Sequence, residues 1–351
     1  MWAGLVHSVP NLVDLIAITT SIGTLACRLW VVPCAPTESP LNQKLLIRLW
    51  WLLLVCLVVL TLSSVMGLIQ RTAEMSGRPY GEVYSILFAV MLNSHYGQTW
   101  LIRVGTLVLL WIAWLPGKRN LQSRAVPAFM LAGALVIAFT RSASGHGADA
   151  GDLSLPELMD WFHLLAASAW GGGMVAFTAV IFPTCRRYEA QNFRLIADLA
   201  GRLSFLAGIS LAGVLLTGAY NYWLEVASVS ALWATPYGNI LAIKLLLVLV
   251  LIILGASNRY VSIPLLKRLA GYPPSGNGGM QRLALQYLPR FLKNAQGTGV
   301  ALHFAHTVMV EVIVMAGVLV CAALLTHETP AKHQFHRDHT TLQAHSGHES
   351  Y

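Results

Sequence analysis

Long apolar runs separated by short polar segments occupy most of this chain. A helix needs about 20 mostly apolar residues to cross a bilayer. Eight stretches meet that requirement, at residues 10–32, 45–69, 97–116, 125–140, 158–183, 203–224, 238–263 and 301–326. Two further apolar stretches, 83–93 and 226–233, are too short to span and are predicted to pack on the bundle. The pattern predicts an all-α membrane bundle of about eight transmembrane helices over residues 1–326, followed by a polar tail at 327–351.

Composition supports the membrane assignment. Hydrophobic residues make up 56% of the chain and charged residues only 11%, whereas soluble domains carry about 25% charged residues. The net charge of +8 comes from short clusters between the apolar runs. A nucleic-acid-binding protein would instead carry its basic residues on one face, so no nucleic-acid partner is expected.

The basic residues also predict an orientation. Sixteen of the 23 lysines and arginines fall in one set of alternate loops and the helix ends beside them. The positive-inside rule places that set in the cytoplasm. An even number of spans then places both termini on the outer side, which is the periplasm if the membrane is a bacterial inner membrane.

A short motif repeats at the start of the third and seventh spans. Tyr96-Gly97 is followed by Arg103, and Tyr237-Gly238 is followed by Lys244. Both cations lie six residues after the glycine, about 9 Å along a helix, where a charge is expensive. They either snorkel to the interface or form a paired structural or substrate-binding element. The repeat also suggests a parallel duplication of two four-span halves.

One acidic residue, Glu311, lies inside the last apolar run. Intramembrane carboxylates usually face the bundle interior and take a partner. We expect Glu311 to pair with Arg202 or with another cation near the inner end of the bundle.

Histidines and methionines supply the candidate metal ligands. Met159 and His163 are four residues apart, as are Met91 and His95, so each pair is predicted to share a helix face. A thioether beside an imidazole suits copper. Each pair can equally be a gap-filling methionine beside a hydrogen-bonded histidine. His146 stands in an outer turn, as either a ligand or a polar turn residue.

The tail is rich in histidine, and such tracts are typical of metal binding. His336 and His339 lie close enough in sequence to reach one ion, although a plain solvated tail is the alternative. The chain has no phosphate-binding loop of the G-x-x-x-x-G-K-[ST] type and no hydrolase signature. We therefore expect a protein that is not an enzyme.

Ordered motifs resemble one known family, the CopD (PcoD-like) copper-resistance inner-membrane proteins. The resemblance is carried by His163, Trp170 and Gly172 within residues 160–173, and by a second block further along the chain. That block contains Arg202-Leu203-Ser204, Thr217-Gly218, Thr235-Pro236-Tyr237-Gly238, Lys244 and Asn258-Arg259, and it precedes Glu311. Residues 145–330 resemble the family most, and the first half resembles it more loosely.

The resemblance implies an eight-span protein of the bacterial inner membrane that handles copper, as Cu(I) or Cu(II), beside a separate periplasmic CopC-like copper-binding protein. On their chemistry and placement, Trp170, Arg103, Lys244 and Glu311 are expected to be structural or transport residues. Two other functions stay open at this point. One is a b-type redox protein that holds haem between His163 and either His95 or His146. The other is a metal-binding sensor or scaffold that moves nothing.

Overall fold

The computed structural model describes residues 2–32, 40–117, 119–144, 151, 153–188, 193–226, 230–273 and 297–326. These residues form helices and no strand. The helices are α1 (Trp2–Ala26), α2 (Pro40–Ser76), α3 (Tyr84–Asn93), α4 (His95–Gly117), α5 (Ala125–Ser142), α6 (Leu155–Ala176), α7 (Phe182–Tyr188), α8 (Phe193–Glu225), α9 (Ala231–Ala234), α10 (Pro236–Ser257), α11 (Ile263–Leu269) and α12 (Gly297–Leu325).

The eight-span prediction is confirmed. Eight helical segments within the described residues are long and apolar enough to cross a membrane, so the chain is a multi-pass membrane protein. Three π-helical turns, Cys27–Val31, Phe177–Ile181 and Asn258–Ser262, continue α1, α6 and α10. The turn after α6 joins it to α7, and the turn after α10 joins it to α11, so each pair makes one long span.

Helices that cross a membrane one after another run in alternate directions, so eight spans place the start of α1 and the end of α12 on the same side of the bundle. We call that side the terminal face and the opposite side the loop face. The short apolar stretch 83–93 forms α3, and α9 begins near the end of the stretch 226–233; the two helices lead into α4 and α10. Each following helix begins with a side-chain cap: Ser94 Oγ accepts from Gly97 N at 2.9 Å, and Thr235 Oγ1 accepts from Gly238 N at 3.0 Å. The sequence repeat is therefore also a structural repeat.

α1 is the central helix of the bundle. It packs against α2, α5, α6 and α12, and most of its span is buried. One apolar core lies among α1, α2, α4 and α5. A second lies among α6, α7, α8, α10, α11 and α12, and it also includes the π-helical turn after α1 and the start of α2. Trp170 is buried in the second core, at 4% exposure.

α1 and α6 meet through glycine. A Cβ atom placed on Gly172 would lie 1.9 Å from the Thr19 carbonyl oxygen, and one on Gly23 would lie 2.0 Å from the Gly172 carbonyl carbon. One turn away, Ser168 Oγ donates to Thr19 Oγ1 at 3.4 Å. Small residues four apart on facing helices allow such close backbone packing in membranes. Gly172 therefore keeps the two halves of the bundle in direct backbone contact.

Candidate metal site

The best-defined candidate ligand is His163, which lies eight residues after the start of α6, about 12 Å along the helix. The helix start is fixed by Ser154, whose hydroxyl accepts from the Glu157 backbone N–H. The His163 ring packs across to α8, where its Nδ1 lies 3.0 Å from Thr217 Oγ1. A Cβ on Gly218 would come within 3.3 Å of His163 Cε1, so the glycine leaves room for the ring.

The hydrogen bonds of Thr217 indicate which nitrogen of His163 carries the proton. A threonine hydroxyl has one hydrogen to donate. Thr217 Oγ1 lies 2.6 Å from the Gly213 carbonyl oxygen, a group that only accepts. This arrangement favours a neutral His163 ring whose Nδ1–H donates to the hydroxyl. That tautomer leaves the Nε2 lone pair available, which is how an N–H···O bond on one ring nitrogen prepares the other for a metal.

Met159 precedes His163 by one turn on the same helix, α6. The two side chains share a face because they are four residues apart, and both are partly buried. The Lys244 ammonium of α10 lies within electrostatic range of the His163 ring and of the buried Cys321 thiol on α12. The site thus has a soft donor one turn away and a fixed positive charge nearby.

The prediction that Met91 and His95 share a helix face is wrong. Met91 is in α3 and His95 begins α4, and between them Ser94 has an extended backbone with φ −104° and ψ 148°. The break arises because Ser94 caps α4, and Gly97 packs against the Met91 carbonyl. The spacing of four residues therefore does not align these two side chains as it aligns Met159 and His163.

The structure does not join the two Met/His pairs. α4 packs against α2, α3 and α5, whereas α6 packs against α1, α5, α8 and α12. His95 is exposed at the start of α4, while His163 bonds to α8. Within the described ranges, no group of three His, Cys, Asp or Glu side chains converges to hold a metal ion. His146, His336 and His339 lie outside the described residues.

A second polar cluster lies in the first half of the bundle and is centred on Asp14 of α1. Arg103 of α4 donates to its carboxylate, and Ser63 of α2 donates to Oδ1 at 2.7 Å. Arg141 Nη1 of α5 lies 4.0 Å from Oδ2 and donates to Asn11 Oδ1 at 2.9 Å. The side chains of Arg103 and Asp14 are only 9% and 8% exposed. Arg103 therefore does not snorkel, because it is committed to a buried ion pair.

Sequence reasoning missed Asp14, Ser63 and Thr217 as site residues. An acidic residue in the first apolar run was a signal for Asp14, because intramembrane charges take partners. Its partner Arg103 lies 89 positions away, and neither spacing nor composition connects them. Thr217 was visible only as part of the Thr217-Gly218 motif.

The two clusters occupy corresponding places in the two halves. Asp14, Ser63 and Arg103 come from the first three spans, and His163, Thr217 and Lys244 come from the fifth, sixth and seventh. Asp14 precedes Gly23 by nine residues, as His163 precedes Gly172, and these two glycines touch. Arg103 and Lys244 each lie eight residues after their helix begins. This repetition supports a parallel duplication.

Glu311 has a different partner from the one we expected. Its carboxylate Oε1 accepts from Asn258 Nδ2 at 2.6 Å, whereas Arg202 is exposed on α8. Asn258 opens the π-helical turn after α10, and that turn brings the amide to α12. Among the described residues, no basic nitrogen lies within 4 Å of Glu311.

The fold and these clusters define a class: a multi-pass helical membrane protein that keeps ionisable side chains at membrane depth, as pathways for ions and protons do. Two family models match it. Residues 10–155 match the copper resistance protein D-like N-terminal domain, and residues 197–325 match copper resistance protein D. The chain therefore belongs to the copper resistance protein D family.

Curated relatives are distant in sequence. The chain is 23% identical over 222 residues to copper transport protein CutJ of Bacillus subtilis (strain 168), covering 61% of this chain and 40% of CutJ. Inner membrane protein YebZ of Escherichia coli (strain K12) is 24% identical, over 59% of this chain and 71% of YebZ. Copper resistance protein D of Pseudomonas syringae pv. tomato is 26% identical, over 59% and 67%. No solved structure matches the chain.

Proposed function

We propose that this protein transports copper across the bacterial inner membrane, through the half of the bundle built from α6, α8, α10 and α12. Membership of the family and the names of its relatives support copper as the cargo. His163 is the central ligand of the proposed route, and Met159 assists it. Copper is the transported substrate here and not a resident cofactor.

One observation carries this proposal: His163 Nδ1 lies 3.0 Å from Thr217 Oγ1, whose hydroxyl also donates to the Gly213 carbonyl oxygen at 2.6 Å, an arrangement that favours the Nδ1–H tautomer. Neutral imidazole is a common ligand of copper, and a carbonyl- or hydroxyl-anchored ring is the usual form of a ligating histidine. A thioether one turn away selects the softer Cu(I).

The terminal face is the proposed side of capture. The positive-inside rule assigns it to the periplasm, where a CopC-like protein would deliver copper. His336 and His339 of the tail, together with His146, collect the ion there, since histidine-rich tracts bind metal. His95 and Met91 act as separate donors at this face, because the structure sets them on different helices.

Copper content of the purified full-length protein tests the ligand assignment. We expect His163→Ala to lose bound copper relative to wild type, while His306→Ala, which removes an exposed histidine of α12, keeps it. Replacing all six tail histidines with alanine separates capture from the bundle site. Full copper retention by His163→Ala with loss in the tail variant would refute His163 as the ligand.

Transport is tested separately in proteoliposomes. Copper uptake above the level of protein-free vesicles supports a transporter, and its loss in His163→Ala supports the route. Stoichiometric copper binding without uptake would instead identify a metal-binding scaffold.

A further inference from the structure

The proposed copper route leaves Glu311 unused. It is the central residue of α12, fourteen positions from either end, and it is only 4% exposed. A carboxylate buried without a cation is costly, because the charge loses its hydration and gains no opposite charge in return. An uncompensated acid at this depth is a candidate functional site by default.

The elements packed against α12 do not supply that opposite charge. α12 contacts α1, α6, α8, α10, the π-helical turns after α6 and α10, and α11. These elements and the helix ends beside them carry the charged or titratable side chains of Asp14, Arg28, Glu157, Asp160, His163, Arg194, Asp198, Arg202, Tyr220, Tyr222, Tyr237, Lys244, Arg259, Tyr260, Lys267 and Arg268, with His303, His306 and Cys321 on α12 itself. None of the basic nitrogens among them lies within 4 Å of the Glu311 carboxylate, whose hydrogen-bond partner among the described residues is Asn258.

This contact gives a hydrogen-bond partner to the amide nitrogen of Asn258 but not to its amide oxygen. Its Nδ2 donates to Glu311 Oε1 at 2.6 Å, but its Oδ1 is buried and has no hydrogen-bond partner, as is also true of Ser262 Oγ in the same π-helical turn. A buried acceptor without a donor costs about 1–3 kcal/mol. The Asn258 Oδ1 atom therefore lacks a hydrogen-bond donor, next to the Glu311 carboxylate.

We propose that Glu311 and Asn258 form a proton-binding site that couples copper transport to proton movement. A protonated carboxyl has one O–H to donate. With Glu311 neutral, that O–H donates to Asn258 Oδ1 while Oε1 accepts from Nδ2, so acid and amide satisfy one another in a two-hydrogen-bond pair. The same proton removes the uncompensated charge and satisfies the orphan acceptor.

The coupling part of this inference rests on the proposed function. In the proposed cycle, the conformation described here holds the proton. A conformation that opens the site to water releases it from the carboxyl oxygen to a water molecule, and leaves a hydrated carboxylate. The π-helical turn Asn258–Ser262 is the element that can change, because π turns are local departures from the α-helix and often mark functional sites.

Infrared spectroscopy tests the proton site without copper. At neutral pH, wild type should show a carboxylic-acid C=O band that shifts in D2O and is lost in Glu311→Gln. Asn258→Leu should keep the band but shift it to higher frequency, because the amide hydrogen bonds are gone. Glu74→Gln, which removes an exposed carboxylate of α2, should leave the band unchanged. A spectrum of wild type without a Glu311-dependent acid band would overturn the proton site.

Proteoliposomes loaded with a pH indicator test the coupling, with Cu(I) supplied outside. We expect wild-type copper uptake to change with an imposed pH gradient, and Glu311→Gln to take up copper at a rate that no longer responds to the gradient. Unchanged gradient dependence in Glu311→Gln would overturn the coupling. Absence of uptake by wild type would overturn the proposed function and the coupling together, whereas the infrared band decides the proton site by itself.

Discussion

The two polar clusters carry different residues at equivalent positions of the two halves. In the first half, Asp14 is ion-paired with Arg103, and both side chains are more than nine-tenths buried. In the second half, the corresponding residue His163 contacts the Thr217 hydroxyl at 3.0 Å, and Lys244 lies within electrostatic range of its ring. Opposite charges in direct contact hold each other in place, whereas a neutral imidazole has one ring nitrogen with a lone pair that can bind a metal ion. Equivalent positions of the two halves therefore hold a buried ion pair in the first half and a candidate metal ligand in the second.

The largest expected effect on stability comes from removing the buried ion pair between Asp14 and Arg103. Asp14→Ala leaves Arg103 charged and buried, which costs about 3–5 kcal/mol; one further atom of that side chain, Nε, already has no hydrogen-bond partner. The thermal unfolding temperature in detergent should fall sharply. Asp14→Ala combined with Arg103→Leu should recover much of the loss, and an additive double variant would contradict the ion-pair interpretation.

The next largest effect on stability is expected at the glycine contact between α1 and α6. Gly172→Ala places a Cβ where the Thr19 carbonyl oxygen stands, so α1 and α6 must separate, and such overpacking costs about 1–3 kcal/mol. Gly173→Ala is the matched control, because its nearest neighbour lies at 3.5 Å, an ordinary contact. Unfolding midpoints measured side by side should fall for Gly172→Ala only. Equal midpoints for the two variants would show that the crossing does not hold the halves together.

Substitutions at Thr217 test whether its hydroxyl orients His163 in the second cluster. Thr217→Val keeps the shape of the side chain but removes the oxygen that orients His163, and loss of such a partner lowers metal affinity about 10–100-fold. Thr217→Ser retains the hydroxyl and should bind copper nearly as wild type does. Competition with a chelator of known affinity measures the difference. Equal affinities for the valine and serine variants would remove Thr217 from the site.

The smallest effect on stability is expected for an ion pair that is exposed. Arg71 and Glu74 form an ion pair on α2 at 3.2 Å, with side chains 50% and 38% exposed, and such pairs contribute about 0.2–1 kcal/mol at most. Arg71→Ala should therefore leave the unfolding midpoint nearly unchanged. A loss as large as that of Asp14→Ala would mean that burial is not what distinguishes the Asp14–Arg103 pair.

Local pattern predicted the spans well and the long-range contacts poorly. Hydropathy over about 20 residues identifies a membrane helix without tertiary information, and so all eight spans were predictable. The shared face of Met159 and His163 followed from helical spacing. The break at Ser94 was not foreseen, because apolar residues continue almost to that point and a single capping serine ends the pattern.

The partners of the charged residues depended on packing between distant segments. Asp14 and Arg103 meet only after α1 and α4 are both packed against α2. Glu311 meets Asn258 at the π-helical turn after α10, which packs against α12. A search of the sequence for opposite charges favoured a cation for Glu311, since ion pairing is the commoner solution for a buried acid. An amide partner is recognisable only from coordinates.

The glycine crossing also bears on how such a protein could arise. Position 19 meets position 168 and position 23 meets position 172, so equivalent residues of the two halves contact each other. Contact between equivalent residues is the property of a two-fold symmetric dimer. The crossing thus has the geometry of a two-fold homodimer interface within a single chain. Fusion of two copies would free each half to evolve separately, so that an aspartate stands at one equivalent position and a histidine at the other.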